Sequence, residues 1–428
     1  MNVPKLEKTV GIEVYASKSL RVGGRIREFL EDFVVEEVLT DGSRAEVKQT
    51  KRAVQVAGRG RYLACVMVKR NWDTILAVEA VARQLDMNAE NVHIAGIKDA
   101  KAVTAQHISI GRVTPEQVSQ VKIRDINLYP LRFVNEKIYS GLLSGNCFRI
   151  VIRAVGYASS VIEKRMENVL NELSSLGGIP NFFGHQRFGT VRPITHVVGE
   201  QIVRGNWEKA ALTFLAESSE FEHPEARRTR QQLWDTKDFK AALYSFPHQL
   251  RYERFMLSHL ARHRNDFVGA FRRLPMKLCK LFVQAYQSFL FNKFLSARIT
   301  HEMPLNHVLN EDYTVNVNNT ACVALPLVGF RQSLSAGRQG ELEKEILEAE
   351  NVKPNDFRVP QMQRISAPGR LRTALAFINS LSIEKPTLDQ ANRSKWQIRI
   401  GFMLPKGSYA TVLLREFMKP RNLVKAGF

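Results

Sequence analysis

A strand pattern opens this chain, vanishes over its middle and returns near its end. Phe33-Val34-Val35-Glu36-Glu37-Val38 and Tyr62-Leu63-Ala64-Cys65-Val66-Met67-Val68 are rich in β-branched and apolar residues. Phe148-Arg149-Ile150-Val151-Ile152-Arg153 alternates apolar and polar, the period of a half-buried strand. From about residue 190 long helical segments take over: Trp207 to Leu215, Arg251 to Arg264 and Leu274 to Arg298. The last carries Leu278, Leu281, Phe282, Ala285, Tyr286 and Phe289 as a broad apolar stripe, a core-facing surface. Trp396-Gln397-Ile398-Arg399-Ile400-Gly401-Phe402-Met403 then restores the strand pattern. Strands, then helices, then a strand again predict a helical domain inserted into a sheet domain.

Local signals fill in the first part. Asp73 is placed to cap a helix running through Leu85, and Pro115 after Thr114 opens a short one. A helix from about 159 to 175 puts Ile162, Met166, Val169, Leu170 and Leu173 on one face and stops at Gly177-Gly178. The order has no internal repeat, no Rossmann or barrel beat and no Gly-x-Gly-x-x-Gly after a strand.

The 428 residues exceed one ordinary core, so two or more domains are expected. Lys and Arg outnumber Asp and Glu by 62 to 42, a net charge of +20 spread along the whole chain. That surplus predicts a broad basic face and a polyanionic partner, nucleic acid first and an anionic membrane surface second. No window approaches an uncharged membrane span, and the start has no apolar leader, so a cytoplasmic protein is expected. Cys65, Cys147, Cys279 and Cys322 are far apart in apolar surroundings and read as buried free thiols. His259 and His263 have the i, i+4 spacing of zinc ligands, but Leu260, Ala261 and Arg262 between them supply no catalytic Glu. They read as a solvated helix face, and no metal and no cofactor are expected.

The segment with most chemical content is Ala95-Gly96-Ile97-Lys98-Asp99-Ala100-Lys101-Ala102-Val103-Thr104-Ala105-Gln106. Val92-His93-Ile94 before it and His107-Ile108-Ser109-Ile110 after it read as strands, so the turn between them projects Asp99 from a sheet, with Thr104 and Gln106 able to hydrogen-bond around it. That is one way to present a nucleophile or base to a cleft; an Asp that simply closes a turn is the plain alternative.

Gly96-Ile97-Lys98-Asp99 with Ala102, Thr104 and Gln106 resembles the active-site motif of the TruD family of pseudouridine synthases. Further segments resemble that family's motifs in its order: Glu31-Asp32-Phe33-Val34-Val35-Glu36, Gly145-Asn146-Cys147-Phe148-Arg149-Ile150, Pro180-Asn181-Phe182-Phe183-Gly184-His185-Gln186-Arg187-Phe188-Gly189, and Leu404-Pro405-Lys406-Gly407-Ser408-Tyr409-Ala410-Thr411 with Leu414-Arg415-Glu416. The resemblance spans roughly residues 20 to 420.

It implies an α/β (α+β) protein: a catalytic domain on a mixed, largely antiparallel sheet, at 1–179 and 386–428, interrupted by a mainly helical TRUD domain at 180–385, with the cleft between them. It implies a cofactor-free isomerase that converts uridine to pseudouridine in transfer RNA, with uridine 13 as the usual target; a monomer is expected. It carries the catalytic role to Asp99, which could attack the sugar or the base or deprotonate the ribose, all with the same ionised carboxylate. The family's basic partner of that Asp falls on Arg27, five positions before Asp32-Phe33, where the pattern usually has Lys; Arg25 lies close enough to compete for the assignment. Leu30 departs from the family's usual Pro. Phe148 and Asn146 fall where the family holds the flipped base, by stacking and by reading the uracil edge. Phe183, Gln186 and Arg187 fall on the cleft wall, and Lys98 and Arg187 are candidate phosphate contacts. A non-catalytic RNA-binding protein and a carboxylate-dependent RNA hydrolase or glycosylase are the rival functions.

Overall fold

The structure is a computed structural model that describes residues 2–48, 56 and 58–428. Its first part supplies β1 (Phe33–Leu39), β2 (Tyr62–Arg70), β3 (Val92–Ile94), β4 (Val103–Gly111), β5 (Ile126–Val134) and β6 (Leu143–Val155). The middle adds β7 (Ile179–Pro180), β8 (Tyr313–Val317), β9 (Thr320–Leu327), β10 (Arg370–Thr373) and β11 (Leu375–Ala376), and the last part β12 (Asn379–Ile383), β13 (Thr387–Leu388) and β14 (Trp396–Pro405). The main sheet runs β12-β14-β6-β1-β4-β2-β5, with β13 beside β14 and β3 beside β4. β1 and β4 are parallel; the other described ladders of this sheet are antiparallel. The returning strand therefore does rejoin the first sheet, in register with β6.

Side chains alternate across a strand, so register sorts the motifs by face. Val35 lies opposite Phe148 on β6 and Thr104 on β4, Glu37 opposite Asn146, and Phe402 opposite Phe148. Phe148 and Asn146, two residues apart, share that face with Val35 and Glu37. At one end of it, Leu63, Cys65, Met67, Ile108 and Ile110 pack under the helix Thr74–Gln84, through Ala77, Val78 and Val81. Asp73 caps that helix as expected, accepting from the amides of Ile75 and Leu76. At the other end, Ile150, Ile152, Ile398 and Ile400 lie in one core with Ile162, Met166, Val169 and Leu173 of the helix Ser159–Leu176 and with the helix Ala410–Met418. The first helix ends at Gly177 in the left-handed region (φ 82), as its sequence predicts. Between these two coverings the sheet lies open over β1, β4 and β6. Cys147 points to the opposite, polar face with Glu36 and is half-buried; Cys322 is half-buried too, so only Cys65 and Cys279 match the expected burial.

The inserted part has more strand than its sequence suggests: β8, β9 and β10 form an antiparallel sheet beside eight helices. The helix Met276–Thr300 is its axis, burying Phe282, Val283, Tyr286, Leu290, Phe291 and Phe294. The helix Thr195–Val203 crosses it so closely that a Cβ on Gly199 would meet the Phe282 carbonyl oxygen at 2.0 Å. The helix predicted to reach Arg264 stops at Leu260. A turn follows, and Asp266 caps a new short helix, Phe267–Arg272. At its far side the chain re-enters the main sheet at β12, which pairs with β14. β7 pairs with β11, holding the two ends of the insertion together.

The Leu414-Arg415-Glu416 motif is structural. Arg415 forms a buried bidentate pair with Glu7 (2.8 Å from each Nε and Nη2) and reaches Glu416, while Glu416 accepts from the Ser17 amide at 2.9 Å. The N-terminal segment so fixed runs under the long inserted helix, whose Asn292 donates to the Val10 carbonyl and Ser296 to that of Gly11.

Candidate active site

The open stretch of sheet is the floor of a cleft of about 860 Å³. Asp99 and its loop stand on one side, Gln186 and Val191 from the insertion, with Ser408 and Tyr409, on another, and Phe148 and Asn146 at the base.

Several polar contacts fix the Asp99 loop, among them a bond from the Lys98 amide to the Thr74 hydroxyl at 3.0 Å. Gln106, buried on β4, donates to the Gly96 carbonyl at 3.3 Å. Lys69, buried on β2, donates to the carbonyls of Asp99 (2.8 Å) and Trp72 (2.7 Å). Lys98 turns inward, its ammonium 2.7 Å from Glu37 on β1 and only 4% exposed. Burial alone would raise the Glu37 carboxyl; hydrogen bonds from His107 and the charge of Lys98 outweigh that and hold it below the usual carboxylate range. Burial likewise pushes Lys69 down to about 8, against the pull of Asp99.

With its loop pinned, Asp99 keeps 31% of its side chain exposed to the cleft. Arg27 Nη2 donates to its Oδ1 at 3.1 Å, while Nη1 donates to the Gly427 carbonyl at 2.9 Å. The guanidinium lies 4.0 Å above the Phe33 ring. Burial lowers the pKa of Arg27 and the Asp99 charge opposes that shift. Arg27 sits in the left-handed region (φ 58), a costly conformation for a residue with a Cβ. The chain's last residues brace it: the Ile26 amide donates to the Ala426 carbonyl at 2.9 Å, and Phe428 is buried in the core. Gly427 (φ 86) allows this contact, since a Cβ there would meet the Ile26 carbonyl at 2.0 Å. Arg25 instead pairs with Glu28 at 3.0 Å and reaches Asn392, so of the two arginines it is Arg27 that meets Asp99.

Phe148 is 6% exposed, stacked on Phe402 (5.2 Å) and edge-on to Phe33 (6.3 Å), and it contributes both to the core and to the cleft lining. Asn146 lines the same floor, and its buried Oδ1 has no partner. A buried acceptor left open beside a cleft is suited to an N–H of a bound ligand.

The remaining candidates fall in different places. Gln186 is exposed in the cleft and lies 3.2 Å from the Thr411 hydroxyl. Phe183 is buried behind the wall, against Tyr409 and under the Arg372 guanidinium at 4.0 Å. Arg187 points to the long inserted helix, donating to Ser288 and Gln284. Thr104 and Gln106 are buried in β4, outside the lining. Lys98 borders the cleft, yet its charge is paired with Glu37 instead of offered to a phosphate.

Two parts of the site carry no sequence signal of their own. Arg372 donates to the Asn181 carbonyl and side chain and to the Gly407 carbonyl, tying two motifs together from a strand with no motif. Gly427 lies beyond the last recognisable motif. Tyr409 belongs to one, but only the fold brings its ring to the cleft.

No described group of His, Cys, Asp and Glu side chains has the arrangement of a metal site. His259 is only 8% exposed and bonded to Asp266 at 2.9 Å, which corrects the freely solvated reading of its helix face. No described helix is long and apolar enough to cross a membrane.

The model of the tRNA pseudouridine synthase D (TruD) family matches residues 9–322 and 318–417. A "Probable tRNA pseudouridine synthase D" of Methanococcoides burtonii is 37% identical over 99% of both chains, and one of Methanopyrus kandleri 40% identical over 87% of this chain and 89% of its own. A crystal structure described as that of a candidate tRNA pseudouridine synthase D (TruD) from Methanosarcina mazei superposes with a TM-score of 0.78 at 34% identity, covering 98% of this chain and 99% of that one. The likeness in sequence and in fold runs along nearly the whole chain, and the chain belongs to the TruD family of tRNA pseudouridine synthases.

Proposed function

We propose that this protein isomerises uridine to pseudouridine in transfer RNA, at position 13, with Asp99 as the group that starts the reaction. The observation that carries this reading is the Asp99–Arg27 pair at the wall of a cleft floored by Asn146 and Phe148. Two other carboxylates line the cleft, but Asp73 is engaged in capping its helix and Glu28 is paired with Arg25 and Asn392. Asp99 faces a cation and the open space.

The reaction breaks the bond between N1 and C1′, turns the uracil and joins C5 to C1′. It is redox-neutral and consumes no water, so one ionised carboxylate and a pocket that retains the freed base meet its needs. Arg27 sets a guanidinium against Asp99 at 3.1 Å, a cation beside the carboxylate that starts the reaction. The open Oδ1 of Asn146 can accept from a uracil N–H, and Phe148 supplies apolar contact to the ring. The enzyme acts as a monomer in the cytoplasm, and its positive charge favours an RNA partner.

Tritium release from transfer RNA labelled at uridine C5 tests this. Isomerisation frees the C5 hydrogen, whereas binding alone or glycosidic hydrolysis does not. The expected result is release by the wild-type protein and none by Asp99→Asn, which still binds the RNA. Release by Asp99→Asn within tenfold of wild type would remove Asp99 from this role.

A further inference from the structure

The helix Arg251–Leu260 has a second face that the cleft does not use. Glu253, Met256, Leu257 and Leu260 are buried on one side. On another, Tyr252 and Phe255 are 46% and 44% exposed, their ring centroids 6.4 Å apart. Phe255 continues into a surface pocket of about 330 Å³, lined also by Ser258, His259, Arg262, His263 and Arg273. His259 acts there as a strut: its Nδ1 accepts from Arg273 Nε at 3.3 Å, and its Nε2 bonds Asp266 at 2.9 Å.

The surroundings are basic. Residues 251–273 hold Arg251, Arg254, Arg262, Arg264, Arg272 and Arg273 against Glu253 and Asp266. Glu253 is neutralised by Arg230 at 2.7 Å, and Asp266 is engaged by His259 and the Gly269 amide. Arg254 and Arg272 are spent on backbone carbonyls and Arg273 gives its Nε to His259, which leaves Arg251, Arg262, Arg264 and the terminal nitrogens of Arg273 to face a partner.

This face is remote from the cleft. Arg187, beside the cleft residue Gln186, bonds Ser288 of the long inserted helix, and Arg273 lies just before that helix begins at Met276. At 1.5 Å per residue, Met276 and Ser288 are roughly 18 Å apart along the axis. A nucleotide in the cleft cannot reach the patch, but a longer RNA can.

Exposed aromatic rings beside arginines suit unpaired nucleotides, whose bases stack on the rings while their phosphates meet the guanidinium groups. We propose that this face is a second anchor for the substrate RNA, gripping a single-stranded or looped segment outside the active cleft. The proposal rests on the RNA-modifying reading of the cleft.

The test compares intact transfer RNA with a short stem-loop carrying only the target uridine, using Tyr252→Ala/Phe255→Ala and Arg262→Ala/Arg273→Ala, each checked for unchanged thermal unfolding. Both double variants should raise KM and Kd for intact transfer RNA by about tenfold or more, leave kcat unchanged, and leave the KM of the short RNA unchanged. The arginine variant should also flatten the dependence of log K on log salt by about 1.4, and the aromatic variant should not. Unchanged Kd for intact transfer RNA, or an equal loss on the short RNA, overturns the proposal. If wild type binds transfer RNA but releases no tritium, the cleft reading fails, while the Kd comparison still decides whether the patch grips RNA.

Discussion

Lys98→Met separates a lysine that holds the Asp99 loop from one that meets the RNA. Its ammonium is 2.7 Å from Glu37, and the two side chains are 4% and 0% exposed. Removing one member of a buried pair strands the other charge, at a cost of about 3–5 kcal/mol. Glu37 keeps the His107 amide at 2.8 Å and can take up a proton when its cation is gone. The lower end, about 3 kcal/mol, is therefore expected. A double-mutant cycle with Glu37→Gln isolates the pair: each single variant lowers the urea midpoint, and the double variant loses clearly less than their sum. Turnover falls along with stability, because the loop that carries Asp99 loses its inward tether. The reasoning is refuted if Lys98→Met leaves the midpoint where it was and instead flattens the salt dependence of RNA binding by about 0.7–0.9, the signature of one lost phosphate contact.

Phe148→Ala should both slow turnover and destabilise the fold by about 3 kcal/mol, because the ring is packed on Phe402 and Phe33; Phe148→Leu, which keeps most of that packing, should lose turnover with little change in urea midpoint. Gly427→Ala must move the chain away from the Ile26 carbonyl, so kcat should fall with RNA affinity retained, and adding Arg27→Ala should lower kcat no further than Arg27→Ala alone. Raising pH through about 8 should strip the proton from Lys69 and weaken its hold on the Asp99 loop, giving kcat an alkaline limb that Lys69→Met lacks. Stability should move the other way: between about pH 8 and 10.4 the unfolded chain binds more protons at this lysine than the folded one, so unfolding free energy gains from rising pH.

The layout was legible because strand and helix periods differ, and the strand pattern at Trp396–Met403 required a partner that β6 supplies. The Asp99 loop was legible through its motif and Arg27 through its register. What Lys98 does was not, since a lysine beside an aspartate looks the same whether it faces solvent or Glu37; only the pairing of β1 with β6 and β4 decides that. Gly427 and Arg372 act through backbone carbonyls of distant segments, contacts that leave no trace in local sequence. The strands β8 to β10 were missed among helical neighbours because they are short and partly exposed.

The two-residue ladder between β7 and β11 has a consequence for how the chain closes. Trp396 on β14 meets Val155 on β6 across 241 residues of sequence. Closing so long a segment costs about 5 kcal/mol of chain entropy on the logarithmic scale, before any constant term. Once Ile179 and Pro180 have paired with Ala376 and Leu375, the stretch still to be closed shrinks to about 44 residues, and the cost falls by about 1.5 kcal/mol, roughly tenfold in closure probability. An insertion whose ends are already joined presents the sheet with a short connection whatever its own length. Helices can be added to or removed from its far end without changing what the returning strand must find.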